Sequence, residues 1–109
     1  MLSHPYMNRE SMPIVDSIVS TALARGMAIS VHDGEEWSLK KCTDAHLIWH
    51  ALAQTESGDS LRFRLIATGE VIGTVYLIYE NGVDVIADHS ESDMMTRILA
   101  PAFNLANGL

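Results

Sequence analysis

The chain has 109 residues, of which 48% are hydrophobic and 19% are charged. This composition is typical of a single globular domain and excludes an intrinsically disordered chain. The formal net charge is −7, and Cys42 is the single cysteine. The acidic excess argues against direct nucleic-acid binding, which depends on clustered Lys and Arg, and one cysteine excludes an intrachain disulfide framework.

Residues 1–10 show neither hydrophobic periodicity nor the pattern of a secretory leader. We interpret them as a flexible N-terminal arm that precedes a single domain over residues 11–109. No apolar segment of the sequence approaches the ~20 residues that span a bilayer. We therefore expect a small soluble protein of the cytoplasm that does not associate with membranes.

A first helix is predicted between Ser11 and Gly26. Ser11 is a favourable N-cap, Pro13 is tolerated in the first turn, and Gly26 favours a helix end. The apolar residues between these positions recur at helical spacing and predict one core-facing stripe, formed by Ile14, Val15, Ile18, Val19, Ala22 and Leu23.

Two strands and a short helix are expected next. Residues 27–32 form a strand, Asp33 and Gly34 predict a hairpin turn, and residues 37–42 return. Strict alternation in the return strand predicts one face made of Trp37, Leu39 and Lys41, with Ser38, Lys40 and Cys42 on the other. Thr43 or Asp44 then caps a helix that reaches about Gln54, with core positions at Leu47, Ile48, Ala51 and Leu52.

Three further strands and a last helix follow a loop at residues 57–59. In the first strand, Arg62 and Arg64 lie opposite an apolar face made of Leu61, Phe63, Leu65 and Ala67. The second, residues 71–80, is apolar on both faces and is predicted to be central and covered. Asn81 and Gly82 predict a hairpin to residues 83–88. Ser90, with Asp93 three residues later, predicts a capping box before the last helix, in which Pro101 is expected to cause a kink or a restart. The predicted core face of this helix comprises Met94, Met95, Ile98, Leu99, Ala102 and Phe103.

The element order is therefore helix-β-β-helix-β-β-β-helix, which predicts an α+β fold with an antiparallel five-stranded sheet covered by helices. The two hairpin signals, at residues 33–34 and 81–82, require the antiparallel arrangement. This order resembles that of profilin-like and roadblock-like domains, in which a central sheet lies between helices. The resemblance concerns the order of elements alone, and no motif of either family is present.

The spacing of Cys42, His46 and His50 is the feature most suggestive of a metal site. Residues four apart share one face of a helix, and thiolate and imidazole suit zinc. Because Leu47 stands where the HExxH motif needs its glutamate, a metalloprotease of that type is not expected. We favour the alternative that both histidines face solvent and that Cys42 packs as a small strand residue. No other cofactor is expected.

Two groups of charged residues are further candidates for a binding site. An acidic stretch, for which we favour helix capping and solvation, contains Glu80, Asp84, Asp88, His89, Glu91 and Asp93. Four of the seven basic residues are Lys40, Lys41, Arg62 and Arg64. These form an anion-binding patch if their strands share a sheet face. We favour pairing with acids or protection of a sheet edge, because natural sheet edges often carry lysine. Phe63 is predicted on the face opposite both arginines, so a stacking platform for single-stranded nucleic acid is not favoured.

No motif for nucleophilic or phosphate-loop catalysis is present, so an enzymatic role is not favoured. The large apolar side chains, including both tryptophans, Tyr76 and Tyr79, are of types enriched at buried interface centres. We expect a non-catalytic protein-interaction domain that forms a homodimer and binds another protein. Two alternatives stay open: an acidic inhibitor or nucleic-acid mimic of the mobile-element type, and a small metal- or ligand-binding protein that uses Cys42, His46 and His50.

Overall fold

The computed structural model describes residues 4–108. It contains helices α1 (Ser11–Ala24), α2 (Ala45–Leu52) and α3 (Asp93–Gly108) and strands β1 (Met27–His32), β2 (Trp37–Cys42), β3 (Gly58–Leu65), β4 (Val71–Ile78) and β5 (Ile86–His89). The strands form one antiparallel sheet in the order β2-β1-β3-β4-β5. The predicted element order and α+β class are confirmed, and β3 is the central strand.

The hydrophobic core lies on one face of the sheet. Alternate residues of the inner strands, among them Ile29, Leu61 and Phe63, are fully buried there. Helix α1 packs on this face, α3 packs along α1, and α2 packs against α1 and the β1–β2 end of the sheet. All three helices therefore share one side, and no described helix covers the other side, the open face of the sheet. The arrangement with the sheet between helices, implied by the profilin-like order, does not occur.

Strand β4 differs from its prediction as a strand covered on both faces. Val75 and Leu77 are fully buried, whereas Tyr76 and Val71 on the opposite face are 45% and 44% exposed. The strand lies one position from the edge of the sheet rather than at its centre. Its apolar outer face is therefore a surface feature.

Several element boundaries also differ from the sequence expectations. Ser11 is the first residue of α1 rather than its cap, and its hydroxyl donates to the Gly82 carbonyl (2.6 Å). Gly58 and Asp59, predicted to lie in a loop, belong to β3. A one-turn 3-10 helix, Gly82–Asp84, replaces the predicted two-residue hairpin. Helix α3 begins at Asp93 and continues through Pro101.

Helix α2 has the predicted cap but a different buried face. The Asp44 carboxylate accepts hydrogen bonds from the N–H groups of His46 (2.8 Å) and Leu47 (3.4 Å). Leu47, predicted in the core, is 51% exposed, and Trp49 is buried in the core instead. No helix in residues 4–108 is long and apolar enough to cross a membrane.

Residues 4–10, part of the flexible arm expected from the sequence, make several contacts with the domain; the flexibility itself stays a prediction. The buried His4 ring donates from Nε2 to the Leu52 carbonyl (2.7 Å), and its Nδ1 accepts from two backbone N–H groups. Asn8 bonds the Tyr79 carbonyl with its backbone N–H (3.2 Å) and the Glu80 carbonyl with its side-chain amide (2.9 Å). Residues 1–3 of the predicted arm lie outside the described residues.

Candidate functional site

The open face of the sheet contains two consecutive lysines because β2 is irregular. Leu39 and Cys42 both pair with core-facing residues of β1, and the single residue between those partners is Ser30. Lys40 and Lys41 therefore lie together opposite Ser30 in a β-bulge. Lys41 adopts a left-handed backbone conformation with φ 49°. The strict alternation predicted for this strand is wrong, since Leu39 and Cys42 face the core.

A second irregularity brings a tryptophan onto the same face. Trp37 pairs with His32, whereas Leu39 pairs with the preceding residue of β1. Ser38 is thus the extra residue, and Trp37 and Leu39 lie on opposite faces of the sheet. The Trp37 ring packs edge-to-face with the His32 ring at 4.8 Å between centroids. A twice-bulged edge strand is the means by which natural sheets re-aim side chains.

The two arginines of β3 lie on this open face, as their alternation with Leu61 and Phe63 predicts. Their cross-strand partners are Ser30 and Thr74 for Arg62, and Ala28 and Val71 for Arg64. None of these partners is acidic, so the expected cross-strand pairing with acids is wrong for both arginines. Edge protection is excluded for them as well, because β3 is the central strand. Lys40 and Lys41 do lie on the edge strand β2.

These side chains surround a shallow cleft of about 180 Å³, which is lined by Ser30, Trp37, Lys40, Lys41, Arg62 and Arg64. Four of the seven Lys and Arg residues of an acidic chain thus meet in one place. The lining contains no carboxylate. The cleft consequently carries a concentrated positive charge on a protein of net charge −7.

Two hydrogen-bond donors in the cleft have no acceptor among the described residues. Ser30 is 7% exposed, and its Oγ accepts from the Lys41 N–H (2.9 Å), which leaves the hydroxyl proton free. The Nε of Arg64 is buried without a partner, although Nη1 of the same side chain donates to the Gly69 carbonyl (2.6 Å). A buried donor without an acceptor costs about 1–3 kcal/mol, so an acceptor that reaches Arg64 Nε in the cleft regains this energy.

The cleft also contains an aromatic side chain, Trp37, which the sequence pattern did not place beside the cations. The Arg62 guanidinium carbon lies 4.4 Å from the centroid of the Trp37 ring, a cation–π contact. Trp37 and Arg62 are 25 positions apart along the chain, and register brings them together across β1. A Lys-Lys pair inside an otherwise alternating strand was the one sequence signal of the bulge that assembles this site.

The predicted zinc ligands occupy separate environments. Cys42 is half-buried, and its Sγ accepts from the Asp44 N–H (3.4 Å). His46 and His50 are exposed on α2, as the alternative interpretation proposed. Within residues 4–108 no three His, Cys, Asp or Glu side chains are grouped closely enough to hold a metal ion. Zinc binding by Cys42, His46 and His50 stays a prediction without such a cluster to support it.

The acidic stretch is divided between different surroundings. Asp84 lies in the 3-10 turn, and Asp88 is exposed opposite Tyr76 on the open face. The His89 ring packs against Phe103 with 5.6 Å between centroids. Ser92, rather than Ser90, accepts the N–H of Met95 at the start of α3 (3.1 Å). These residues do not converge on a single point.

Comparisons with protein-family models, curated proteins and solved structures found no match to this chain.

Proposed function

We propose that the protein is a non-catalytic binding domain whose open-face cleft recognises an anionic group of its partner. The proposal agrees with the interaction role expected from the sequence, and it names the open-face cleft as the surface that binds the partner. A cytoplasmic location accords with the proposal and remains an expectation.

The observation that carries the proposal is the composition of the cleft: four cations, two donors without acceptors, and no carboxylate. Cations crowded near a protein surface repel one another, by about 2 kcal/mol for two unit charges ~8 Å apart at an effective dielectric constant of 20. A bound anion is attracted to these cations and accepts hydrogen bonds from Ser30 and Arg64. Charge-assisted hydrogen bonds of this kind are about twice as strong as neutral ones.

The proposal is tested by calorimetric titration of the protein with pyrophosphate at low ionic strength. Lys40→Gln/Lys41→Gln removes two exposed cations of the cleft, and Arg25→Gln/Arg97→Gln removes two exposed cations elsewhere. We expect the lysine variant to raise Kd by about ten-fold or more, since each lost charge-assisted bond contributes about 1.5–3 kcal/mol. The control variant keeps a Kd close to that of the wild type. Absence of binding, or an equal loss in both variants, contradicts the proposal.

Self-association is a second candidate function, and a different observation favours it. Tyr76 and Val71 are large side chains that remain 45% and 44% exposed on a sheet face that no described helix covers. Exposed apolar groups on such a face are typical of a protein interface. The acidic-inhibitor alternative has less support, because the charged cluster that the open face gathers is basic.

A further inference from the structure

We infer that the anion is a phosphate carried by a nucleotide, with the phosphate in the cleft and the base against Trp37. This inference rests on the proposed function and names the ligand class of the same site. It treats a free nucleotide and the 5′-phosphorylated end of a single strand as two sources of one chemistry, a phosphate monoester.

The donors favour a phosphate over a carboxylate. The cleft presents the ammonium groups of Lys40 and Lys41, the guanidinium of Arg62, and the free donors of Ser30 and Arg64. A carboxylate offers two oxygens and one negative charge to these five groups. A phosphate monoester offers three terminal oxygens and a charge of about −1.5 to −2 at neutral pH. It therefore satisfies more of the donors and neutralises more of the charge.

The size and lining of the cleft favour a nucleotide. Pockets that enclose a drug-sized ligand have volumes of about 300–1,000 Å³. A cleft of about 180 Å³ is smaller, so it holds the phosphate end and leaves the rest of the ligand at its rim. Trp37 lines this cleft, and Arg62 contacts its ring. Aromatic rings and guanidinium planes are the groups on which nucleobases stack in proteins.

The charge of the whole chain limits the length of nucleic acid that binds. Outside the cleft, three basic residues remain against 14 acidic residues. A long polyanion would pass over this acidic surface, whereas one or a few nucleotides contact the cleft alone. Single nucleotides and short single strands are therefore the expected ligands, and duplex DNA is not.

The test compares ADP with pyrophosphate for the wild type, Trp37→Leu and Trp37→Phe. Stacking of a base on an aromatic side chain contributes about 5- to 150-fold in affinity, so we expect ADP to bind the wild type more tightly than pyrophosphate by a factor in this range. Trp37→Leu should bring the two affinities together while pyrophosphate binding persists. Trp37→Phe keeps an aromatic ring and should retain part of the preference, which separates stacking from a general disturbance of β2.

Equal affinities of the wild type for ADP and pyrophosphate overturn the inference and leave the proposed function intact. Failure of both ligands to bind refutes both. Tighter binding of penta-glutamate than of ADP also overturns the nucleotide assignment, because it identifies a carboxylate-rich partner. A 5′-phosphorylated oligothymidylate is compared with thymidine monophosphate to distinguish the two sources. If the oligonucleotide binds more tightly, the natural ligand is a single strand; if the two bind equally, it is the free nucleotide.

Discussion

Asp59 is an acid inside the core, with 1% of its surface exposed. Its carboxylate accepts a hydrogen bond from the Tyr79 hydroxyl and another from the Thr55 hydroxyl (2.9 Å). Burial raises the pKa of Asp59 from 3.8 to about 6, against the lowering effect of these two hydrogen bonds. Burial, followed by the nearby Asp59 carboxylate, also raises the pKa of Tyr79 far above its ordinary value, so that hydroxyl stays protonated and continues to donate.

Replacement of this acid should change how stability depends on pH. Because the folded-state pKa of Asp59 exceeds the unfolded value, its contribution is fully present below pH 3.8 and is lost as pH rises through about 6. A shift of this size corresponds to about 3 kcal/mol between pH 3.5 and pH 8. We expect Asp59→Asn to remove this decline in the free energy of unfolding, measured by urea denaturation across that range. Asp84→Asn, at an exposed site, should preserve the decline, and a similar decline in both variants would exclude Asp59 as its source.

His4 acts in the opposite direction at the same end of the molecule. Burial lowers the pKa of its imidazole below 6.5, partly offset by the hydrogen bond to the Leu52 carbonyl. Its stabilising contribution is therefore present above pH 6.5 and is lost as pH falls through the lowered value. The His4 ring also packs on the Tyr79 ring, with 4.4 Å between centroids. His4 of the N-terminal segment and the buried Asp59 thus both contact the Tyr79 side chain.

At the scale of elements, the bulge in β2 stores strain at the proposed binding site. Lys41 has φ 49°, a conformation that glycine adopts freely and lysine does not. Strain of this kind is found where backbone geometry serves a site. In β2 it allows two lysines to project from one face.

Glycine at this position should stabilise the fold and weaken the site. We expect Lys41→Gly to raise the free energy of unfolding by up to about 1 kcal/mol, because it relieves the left-handed backbone. The same variant should bind pyrophosphate more weakly, since it removes one cation of the cleft. Lys40→Gly supplies the control: it removes a neighbouring cation where the backbone needs no glycine, and it should lower stability. Urea denaturation and calorimetry measure the two effects, and a loss of stability in Lys41→Gly would argue against strain at this residue.

At the scale of the whole molecule, the surface has two different sides. The helices cover one side of the sheet, and the open face of the sheet forms the other. The core residues of α1 and α3 are buried between helix and sheet. The open face instead combines the basic cleft at the β2–β1–β3 side with Tyr76 and Asp88 at the β4–β5 side. Such a face presents both charge and apolar area to a partner.

If two copies associate through this face, loss of Tyr76 should weaken the dimer. We expect light scattering at micromolar concentration to give twice the monomer mass for the wild type and a shift towards the monomer for Tyr76→Thr. Tyr6→Thr is the matched control, because Tyr6 is 46% exposed and lies in the N-terminal segment. A wild type that is monomeric at every concentration excludes self-association as the function.

Much of the fold was predictable because its local signals agree with one another. The apolar stripe of α1, the Asp44 cap of α2 and the alternation of Arg62 and Arg64 in β3 all appear in the structure as expected. The predictions that were wrong are those in which packing against distant segments overrides the local sequence pattern. Leu47 fits a helical core pattern, but α2 buries Trp49 in the core instead.

The cleft was only partly predictable. The sequence indicates an anion-binding patch only if the strands that carry the basic residues share a sheet face. These residues are Lys40, Lys41, Arg62 and Arg64. Strict alternation places Lys40 and Lys41 on opposite faces, and it gives no reason to bring Trp37 to Arg62. Strand order and two bulges decide both points, because they depend on pairing between distant segments.

The sequence by itself determined the α+β class, the element order and the absence of familiar catalytic motifs, because periodicity, caps and turn residues act over a few neighbouring positions. The tertiary structure alone decided that all three helices share one face and that the other face contains a cleft lined by Ser30, Trp37 and four cations. The physical reason is that the side on which a helix packs, and the register of a strand, depend on contacts between residues far apart in the chain. Such contacts also leave the donors of Ser30 and Arg64 without acceptors among residues 4–108.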